Sequence, residues 1–517
     1  MGISTKISKD NIFILSIILL SIILTFIFST QKINYHIDEL MTYSLSNSTS
    51  YIDITPGETY KSYGMYQEQF LTTTEESNFD YEQVWQNQAN DVHPPFYYVL
   101  IHTISSFMPG EFSKYIGIAV NMFFNGLIIL LLFKFSMLLT NNRNIAYITS
   151  LFWAVNPGVI SDMMFIRMYI MTMFFCLLIS YIHLKHVQTV NTYSYKFYLA
   201  LFFVSLTGIL THYYFLIFTF FICALFVFYL LVRKRWMDLL IYIGTYVGIL
   251  ISAIGVFPYI YRHIFGGGQR GAESMENFMN INDYLISVKT FWQIISNSLF
   301  GGYLFISIVA IVLMFLVAIL FKRSQSVEIT TSLSKIIYLF SACCLYFLLI
   351  SNIAVYTVER YIQPIFPILV LMFVCLLYHA VMYYLNRTNS LYILSAFLII
   401  ICINGYWHTT SFEYLIKNSE EALNVAEQYQ EKNVVYLYDR NWKIPTNYME
   451  LANYKSVTFY DRNDLAPFYQ NTNYEEFVLY IHSEDESIVN SIVDRLPNID
   501  NYTKLNSYGY CVVYYLE

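Results

Sequence analysis

The sequence predicts a polytopic α-helical membrane protein with a small α/β domain at its C-terminal end. Of the 517 residues, 56% are hydrophobic and only 13% are charged, and the mean hydropathy is +0.47. A soluble protein of this size needs more polar residues to cover its surface. Apolar runs near twenty residues, long enough to span ~30 Å of hydrocarbon, recur along the chain. After residue 408 the composition changes to charged and polar residues.

About eleven apolar runs qualify as transmembrane helices. They cover residues 11–29, 113–139, 145–160, 163–184, 197–211, 214–232, 238–260, 299–321, 336–352, 362–385 and 391–408. A cleaved signal peptide is the alternative for the first run, but "FIFSTQK" offers no A-x-A-like site, so we take this run as an uncleaved span. The segment 95–108 is shorter than a span, and we predict an interfacial or re-entrant helix there.

The placement of lysine and arginine in the short loops predicts the orientation of the chain. With the N-terminus in the cytoplasm, the inner side receives most of these residues, including "RKR" at 233–235, whereas the outer short loops carry only Arg360. Counting 95–108 as a full span would invert every later loop and destroy this bias. We therefore predict an integral protein of the cell (plasma) membrane with a cytoplasmic N-terminus.

In this topology three polar regions lie outside the cell. They are the loop 31–112, the loop 261–298, whose "FGGGQRG" we interpret as a flexible lid, and the tail 409–517. The tail mixes helical stretches with the strand-like runs "NVVYLYD", "SVTFYD", "FVLYIHS" and "YCVVYYLE". At ~100 residues it is large enough for a core of its own. We assign 1–408 to a transmembrane domain and 409–517 to an extracytoplasmic α/β domain.

Charge and cysteine usage exclude several classes of protein. The net charge of −7 and the lack of a basic run argue against a nucleic-acid partner. Six of the seven cysteines fall inside apolar runs, so the sequence contains no disulfide framework and no zinc spacing. Outward carboxylates could hold a divalent cation through oxygen ligands, but no spacing demands one, and metal use stays open.

Polar residues collect at the predicted outer ends of the spans. Asp38 and Glu39 follow the first span, and further along the chain lie Asp91, His93, Asp162, Arg167, Tyr169, His212, Arg360 and Tyr361. Ionisable groups at the membrane are costly and normally face a cavity or a partner. A carboxylate can accept a proton from an attacking hydroxyl, while arginine and histidine suit a phosphate. The combination predicts displacement of a lipid-linked phosphate by a hydroxyl at the outer leaflet.

Each of these residues also has a structural alternative. The acidic pair could be a solvated helix cap, and His93 with the two prolines after it could simply start a helix. Arg167 could form a structural ion pair with Asp162. His212 could be an interfacial histidine, and Arg360 a snorkelling anchor. The convergence of all these groups on one side of the membrane is the stronger argument for function.

An ordered set of motifs resembles a known superfamily. The set consists of "DE" (38–39), "HPPFYYVLIH" (93–102), "RMY" (167–169), "THYYF" (211–215) and "ERYIQPIFP" (359–367). It resembles the GT-C glycosyltransferases of the protein O-mannosyltransferase and aminoarabinose transferase superfamily, glycosyltransferase family 39 and relatives, over roughly residues 10–408. The resemblance implies that a sugar moves from a polyprenyl-phosphate donor to an acceptor hydroxyl of a protein, lipid or cell-envelope glycan, with inversion, on the extracytoplasmic face.

The resemblance also implies roles for individual residues. Asp38 corresponds to the catalytic base, and Glu39 to a residue that binds the acceptor or shapes the site. His93 occupies the position of a basic residue that contacts the donor phosphate, where some relatives have lysine. Arg167 and Arg360 become further candidates for phosphate binding. The remaining cavity candidates, Asp91, Asp162, Tyr169, His212 and Tyr361, receive no specific role.

Rival functions make different predictions. A transporter or flippase for lipid-linked sugars predicts ionisable groups on both sides of the membrane and paired inverted halves, and neither is evident in the sequence. A sensor or scaffold would use the tail as its working part. A polysaccharide polymerase or ligase would use a diphosphate-linked donor at a similar site.

Overall fold

The computed structural model describes residues 9–48, 54–188, 194–265, 277, 283–321, 327–407, 409–470 and 474–517. The chain before the tail is almost entirely helical. Its helices are α1 (Lys9–Ser29), α2 (Ile37–Asn47), α3 (Tyr63–Glu68), α4 (Tyr81–Asn90), α5 (Phe96–Ser105), α6 (Lys114–Thr140), α7 (Arg143–Ala154), α8 (Pro157–Met164), α9 (Tyr169–Gln188), α10 (Tyr195–Thr211), α11 (Tyr213–Val232), α12 (Trp236–Val256), α13 (Ile260–Phe265), α14 (Tyr284–Phe300), α15 (Leu304–Leu320), α16 (Val327–Ile353), α17 (Phe366–Met382) and α18 (Arg387–Trp407).

Within the described residues, eight helices are long and apolar enough to cross a membrane, or nine if the bent pair α14 and α15 is one span. The polytopic class is confirmed, and fewer of the described helices meet this criterion of length and composition than the about eleven spans that we predicted. The run at 197–211 forms a helix of only 17 residues, short of the ~20 that a span needs. The run at 299–321 is divided between α14 and α15, which meet at 84°.

The run at 145–160 is not one helix. Pro157 forces the residue before it out of the helical region, and Asn156 is accordingly extended, with φ −69° and ψ 126°. The Asn156 side chain then caps the next helix by accepting the Gly158 backbone N–H at 3.0 Å. Two short helices, α7 and α8, therefore replace the predicted span.

Two further segments bear on the functional site. The segment 95–108 contains only the ten-residue helix α5, which confirms that it is too short to span. In the predicted lid 261–298, residues 266–276 and 278–282 lie outside the described residues, and with them most of "FGGGQRG". The remainder of that predicted loop is largely helical, in α13 and α14.

The tail forms a mixed sheet with helices, as predicted. Its helices are α19 (Glu420–Gln428), α20 (Tyr448–Leu451), α21 (Ala466–Gln470) and α22 (Glu486–Val493), and the strands of the chain are β1 (Thr59–Lys61), β2 (Asn433–Tyr438), β3 (Ser456–Asp461), β4 (Phe477–Ile481), β5 (Tyr502–Tyr508) and β6 (Cys511–Leu516). The strand order is β1-β3-β2-β4-β6-β5. Strand β2 pairs in parallel with β3 and β4, and the other pairs are antiparallel.

The four strand-like runs correspond to β2, β3, β4 and β6, whereas the two edge strands are additions that the sequence did not predict. Alternate side chains of β2 enter separate cores: Tyr436 packs on one face of the sheet and Leu437 on the other. Strand β5 is mostly polar and half exposed, and β1 has only three residues. Because β1 comes from the loop between α2 and α3, the sheet joins this loop to the tail.

Candidate active site

Asp38 lies in the first turn of α2, shortly after the first span. His36 caps this helix, since its Nδ1 accepts a hydrogen bond from the Asp38 backbone N–H at 3.1 Å. The helix dipole stabilises a carboxylate in this position. The side chain retains 23% of its surface exposed. Asp38 is thus anchored at its backbone and open at its carboxylate.

The Asp38 carboxylate forms an ion pair with the guanidinium of Arg360. Arg360 lies in the 3₁₀ turn Glu359–Tyr361, between α16 and α17. Burial acts to raise the pKa of Asp38, but the positive charges of Arg360 and then Arg167 outweigh it and lower the pKa to about 2. Asp38 is therefore ionised at neutral pH.

Arg167 lies in the break between α8 and α9, with 4% of its surface exposed. The break exists because the chain is extended at Phe165, with φ −82° and ψ 105°. Arg167 Nη1 lies 3.3 Å from the Asp38 carbonyl oxygen, and it donates to Thr42 Oγ1 at 3.1 Å. It also donates to the Tyr98 hydroxyl at 3.0 Å. These bonds fix the guanidinium in place, and arginine remains charged when buried.

His93 connects Arg167 to Asp91. Arg167 Nη2 lies 3.3 Å from His93 Nε2, and His93 Nδ1 lies 2.7 Å from Asp91 Oδ2. Because a guanidinium can only donate, Nε2 accepts, and the ring proton sits on Nδ1 and is donated to Asp91. Burial acts to raise the pKa of Asp91, but His93 and then Arg167 lower it overall. Two carboxylates and two arginines thus belong to one connected group.

His212 borders this group, in the short connection between α10 and α11. Its Nδ1 accepts the Tyr214 backbone N–H at 3.0 Å. Its ring centroid lies 5.9 Å from that of His93 and 5.4 Å from that of Tyr169. Burial lowers the pKa of His212 well below its ordinary value, and the nearby charge of Arg167 lowers it further. His212 is therefore neutral and contributes shape rather than charge.

A cavity of about 500 Å³ lies beside the turn that carries Arg360. Residues 351–358, at the end of α16 and after it, form one wall, and residues 283–287, at the start of α14, form another. The Arg360 guanidinium lies over the Tyr361 ring, 5.7 Å from its centroid. A volume of this size is typical of sites for small molecules.

Comparison with known proteins gives a match in structure and none in sequence. No family model matches the chain, and no curated protein matches it significantly. ArnT from Cupriavidus metallidurans bound to undecaprenyl phosphate aligns with a TM-score of 0.55 and 11% identity over 97% of both chains. The apo state of the same protein aligns with a TM-score of 0.55 and 12% identity over 98% of both chains.

A further similar structure is the archaeal oligosaccharyltransferase AglB from Archaeoglobus fulgidus, in complex with an inhibitory peptide and a dolichol-phosphate. It aligns with a TM-score of 0.43 and 11% identity over 95% of this chain and 69% of that one.

The chain has the GT-C fold. This confirms the fold that the motifs predict. The ArnT alignments cover 97% and 98% of the chain, so they extend past residue 408 into the tail, which is further than the resemblance in sequence reaches.

Within this GT-C fold, most of the predicted site residues meet around Asp38 and Arg167. They come from five separate stretches of the sequence: Asp38; Asp91 and His93; Arg167 and Tyr169; His212; and Arg360 and Tyr361. Two predicted residues, Glu39 and Asp162, lie in other surroundings.

Glu39 is fully buried, although it follows Asp38 directly. Its carboxylate pairs with Lys32 Nζ at 2.9 Å and accepts the backbone N–H groups of His36 at 2.7 Å and Ile166 at 2.9 Å. These bonds join α2 to the segment before it and to the α8–α9 break. Of the two roles that the resemblance implies for Glu39, the geometry favours shaping the site over binding the acceptor.

Asp162 belongs to a separate acidic group with Glu359. Gln363 Nε2 donates to Asp162 Oδ1 at 2.7 Å. Burial raises the pKa of Asp162 well above its ordinary value, and the charge of Glu359 raises it further; burial raises the pKa of Glu359 to about 7. Among the described residues Asp162 makes no ion pair with Arg167, so the structural pairing considered from the sequence is not formed.

Sequence reasoning missed Thr42 and Tyr98, the two side chains that hold Arg167. Thr42 follows Asp38 by four residues in α2, and this helical spacing places both on one face, which is a signal that the sequence offered. Tyr98 lies inside the "HPPFYY" stretch. The chain has 49 tyrosines, so a single one carries little information.

The described residues contain no group of three or more His, Cys, Asp or Glu side chains arranged to hold a metal ion. The two carboxylates nearest the site already have partners: Asp38 pairs with Arg360, and Asp91 with His93. We therefore derive no step that passes through a metal.

Proposed function

We propose that the protein is a membrane glycosyltransferase that moves a sugar from a polyprenyl-phosphate donor to an acceptor hydroxyl on the extracytoplasmic face. The observation that carries the proposal is the ion pair between Asp38 and Arg360 at a partly open site, with Arg167 and His93 beside it. A proton acceptor and fixed cations are the groups that this transfer requires. That ArnT was crystallised with undecaprenyl phosphate supports a lipid phosphate as the donor.

In the proposed reaction the acceptor hydroxyl gives its proton to the Asp38 carboxylate while its oxygen bonds to the anomeric carbon. The bond between this carbon and the phosphate oxygen breaks on the opposite face, so the configuration inverts. Polyprenyl phosphate leaves with one additional negative charge. Arg360 and Arg167 stabilise this charge, and His93, which accepts a hydrogen bond from Arg167, orients that guanidinium toward the phosphate.

The ion pair also links the base to donor binding. Without donor, Arg360 keeps the pKa of Asp38 low, at about 2, and a carboxylate of low pKa is a weak base. A donor phosphate competes for Arg360, and a carboxylate relieved of its cation becomes more basic. Asp38 then becomes an effective base only when a donor is present.

The proposal is tested with Asp38→Asn, which keeps the shape of the side chain and removes the proton acceptor. Lipid extracts of cells that carry the wild-type or variant protein are compared by mass spectrometry. We expect the variant to fold, to lose transfer, and to accumulate a monophosphate-linked sugar. Wild-type turnover in this variant contradicts the assignment of the base.

A matched control is available in α12. Asp238 pairs with Arg235 at 2.7 Å, and the two side chains are 17% and 18% exposed, close to the exposure of Asp38 and Arg360. Asp238→Asn removes a similar ion pair away from the site, and we expect normal transfer. Accumulation of a diphosphate-linked sugar in Asp38→Asn would instead favour the polymerase or ligase, and loss of lipid movement without loss of transfer would favour the flippase.

A further inference from the structure

An exposed aromatic patch lies on the tail, next to the ends of the parallel strands. Trp442 and Tyr510 are each 44% exposed, and their rings meet edge to face with centroids 5.6 Å apart. Lys443 Nζ lies 5.2 Å from the Tyr510 ring centroid and 5.9 Å from that of Trp442. We call Trp442, Lys443 and Tyr510 the platform.

The platform is built on rigid supports. Trp442 and Lys443 belong to a 3₁₀ helix, Asn441–Asn447, which Ile444 anchors in the sheet core. Tyr510 is in the two-residue turn between β5 and β6, after Gly509, which has φ +64°. A Cβ at Gly509 would lie 2.5 Å from Thr446 Cγ2, so the absence of a side chain there lets the turn pack closely on the 3₁₀ helix.

Polar groups surround the aromatic rings. Asp439, at the end of β2, accepts a hydrogen bond from Lys443 Nζ at 2.6 Å, and its Oδ1 lies 2.7 Å from His482 Nδ1. His482 follows β4, and its Nε2 lies 2.8 Å from the Tyr436 hydroxyl. Ligands of open α/β sheets bind at the carboxyl ends of parallel strands, which is where these groups lie.

The platform borders the proposed active site. The 3₁₀ helix that carries Trp442 packs against α2, the helix of Asp38. Burial raises the pKa of Tyr510, the Asp38 carboxylate raises it further, and Arg360 acts in the opposite direction. Electrostatic effects of this kind act over short distances, so Tyr510 lies within the range of the Asp38 and Arg360 charges.

We propose that the platform binds a sugar ring of the acceptor, so that the acceptor of this enzyme is a carbohydrate. This inference rests on the proposed function and deepens it by naming the class of acceptor. The apolar face of a pyranose stacks on Trp442 or Tyr510, while its hydroxyls exchange hydrogen bonds with Lys443 and Asp439. A hydroxyl of the stacked sugar is then presented toward Asp38.

The chemistry of the platform favours a carbohydrate over a lipid or a peptide. A lipid chain needs a continuous apolar surface, and here the ion pair of Lys443 and Asp439 lies beside the rings and is costly to remove from water. An extended peptide is bound most often along a sheet edge, whereas the platform lies at the strand ends. Rigid aromatic rings with a polar rim suit a ligand that has one apolar face and many hydroxyls.

The test uses the full-length protein in nanodiscs and three soluble probes: cellopentaose, chitopentaose and a serine- and threonine-rich peptide. Binding is measured by saturation-transfer difference NMR and titration. We expect at least one oligosaccharide to bind, and Trp442→Ala and Tyr510→Ala each to weaken its binding about tenfold. Tyr469→Ala is the matched control, because this partly exposed tyrosine packs on the other face of the sheet and also carries an arginine, Arg495, 5.0 Å from its centroid.

The possible binding results either support or overturn the assignment of the platform as an acceptor site. Binding of neither oligosaccharide, binding that survives both platform substitutions, or binding of the peptide alone overturns the proposal. A transfer assay separates it from the proposed function: Trp442→Ala should raise the KM for a sugar acceptor about tenfold and leave kcat and the KM for donor unchanged. Platform-dependent binding without any transfer overturns the proposed function alone, whereas transfer with an unchanged acceptor KM overturns the platform alone.

Discussion

Two neighbouring groups of carboxyl side chains behave in opposite ways. Asp38 lies among arginines, and its pKa falls to about 2. Asp162 lies beside another acid, Glu359, and the pKa values of both rise. Glu359 and Arg360 are consecutive in the chain, yet one belongs to the acidic group and the other to the cationic group. Burial alone therefore does not decide whether an acid near the membrane is charged; the sign of its neighbours does.

The comparison also separates two uses of a carboxyl group. An ionised carboxylate with a displaceable partner can take a proton during a reaction. Two neighbouring acids whose pKa values are raised hold their protons more tightly instead, and this pair is suited to fixing the structure around the arginine turn. Substitutions that remove one charged or acidic member of either group test this distinction.

The largest effect is expected from Arg360→Gln, which removes the cation that pairs with Asp38. Loss of one preorganised charge-stabilising group typically lowers the rate about 100-fold or more. We therefore expect transfer to fall by about this factor, measured as kcat with the lipid-linked donor in nanodiscs. Arg235→Gln, which breaks the comparable pair with Asp238, should leave the rate unchanged. Equal losses in both variants would show that Arg360 acts through general stability.

A large effect on stability is expected from Glu39→Gln. The substitution leaves Lys32 without a counter-charge, although only 1% of its side chain is exposed, and an uncompensated buried charge costs about 3–5 kcal/mol. Chemical unfolding of the solubilised protein measures the loss.

The double variant Lys32→Met with Glu39→Gln is the control, because it also removes the charge that was left unpaired. It should recover a large part of the lost stability. Full stability of Glu39→Gln together with loss of transfer would instead give Glu39 a part in the reaction itself.

The smallest expected effect is the change of folding stability with pH. The pKa of Glu359 is raised from 4.5 to about 7, so the folded protein holds this proton more tightly than the unfolded chain does. The resulting stabilisation is complete below pH 4.5 and is lost as the pH rises through about 7. Asp38 contributes in the opposite direction, since its lowered pKa stabilises the fold above 3.8 and this contribution is lost as the pH falls through about 2.

Thermal unfolding as a function of pH measures the effect of Glu359. We expect the Tm of the wild type to fall by a few degrees, roughly 2–4 °C per kcal/mol, as the pH rises from 4.5 to about 7. Glu359→Gln should flatten this part of the curve, while a substitution of the exposed acid Glu421 by Gln should not. A wild-type Tm that rises with pH over this range contradicts the raised pKa.

Much of the fold could be predicted because its signals are local. The thickness of the hydrocarbon sets the length of a span, and short apolar runs indicated four of the tail strands. The predicted spans were wrong where an apolar run does not form one straight helix. Pro157 divides one such run, and α14 and α15 meet at 84° within another. Strand β1 was missed because only pairing with distant β3 makes its three residues a strand.

The candidate site was predictable as a set of residues and not as an arrangement. The sequence alone predicted that acids and cations collect at the ends of the spans, since composition and position can be read directly from the chain. Only the tertiary structure decided that Asp38 meets Arg360, 322 residues away, while Glu39 next to it turns inward to Lys32. The physical reason is that the charge of a buried group depends on the field of its spatial neighbours, and these come together only when the chain folds.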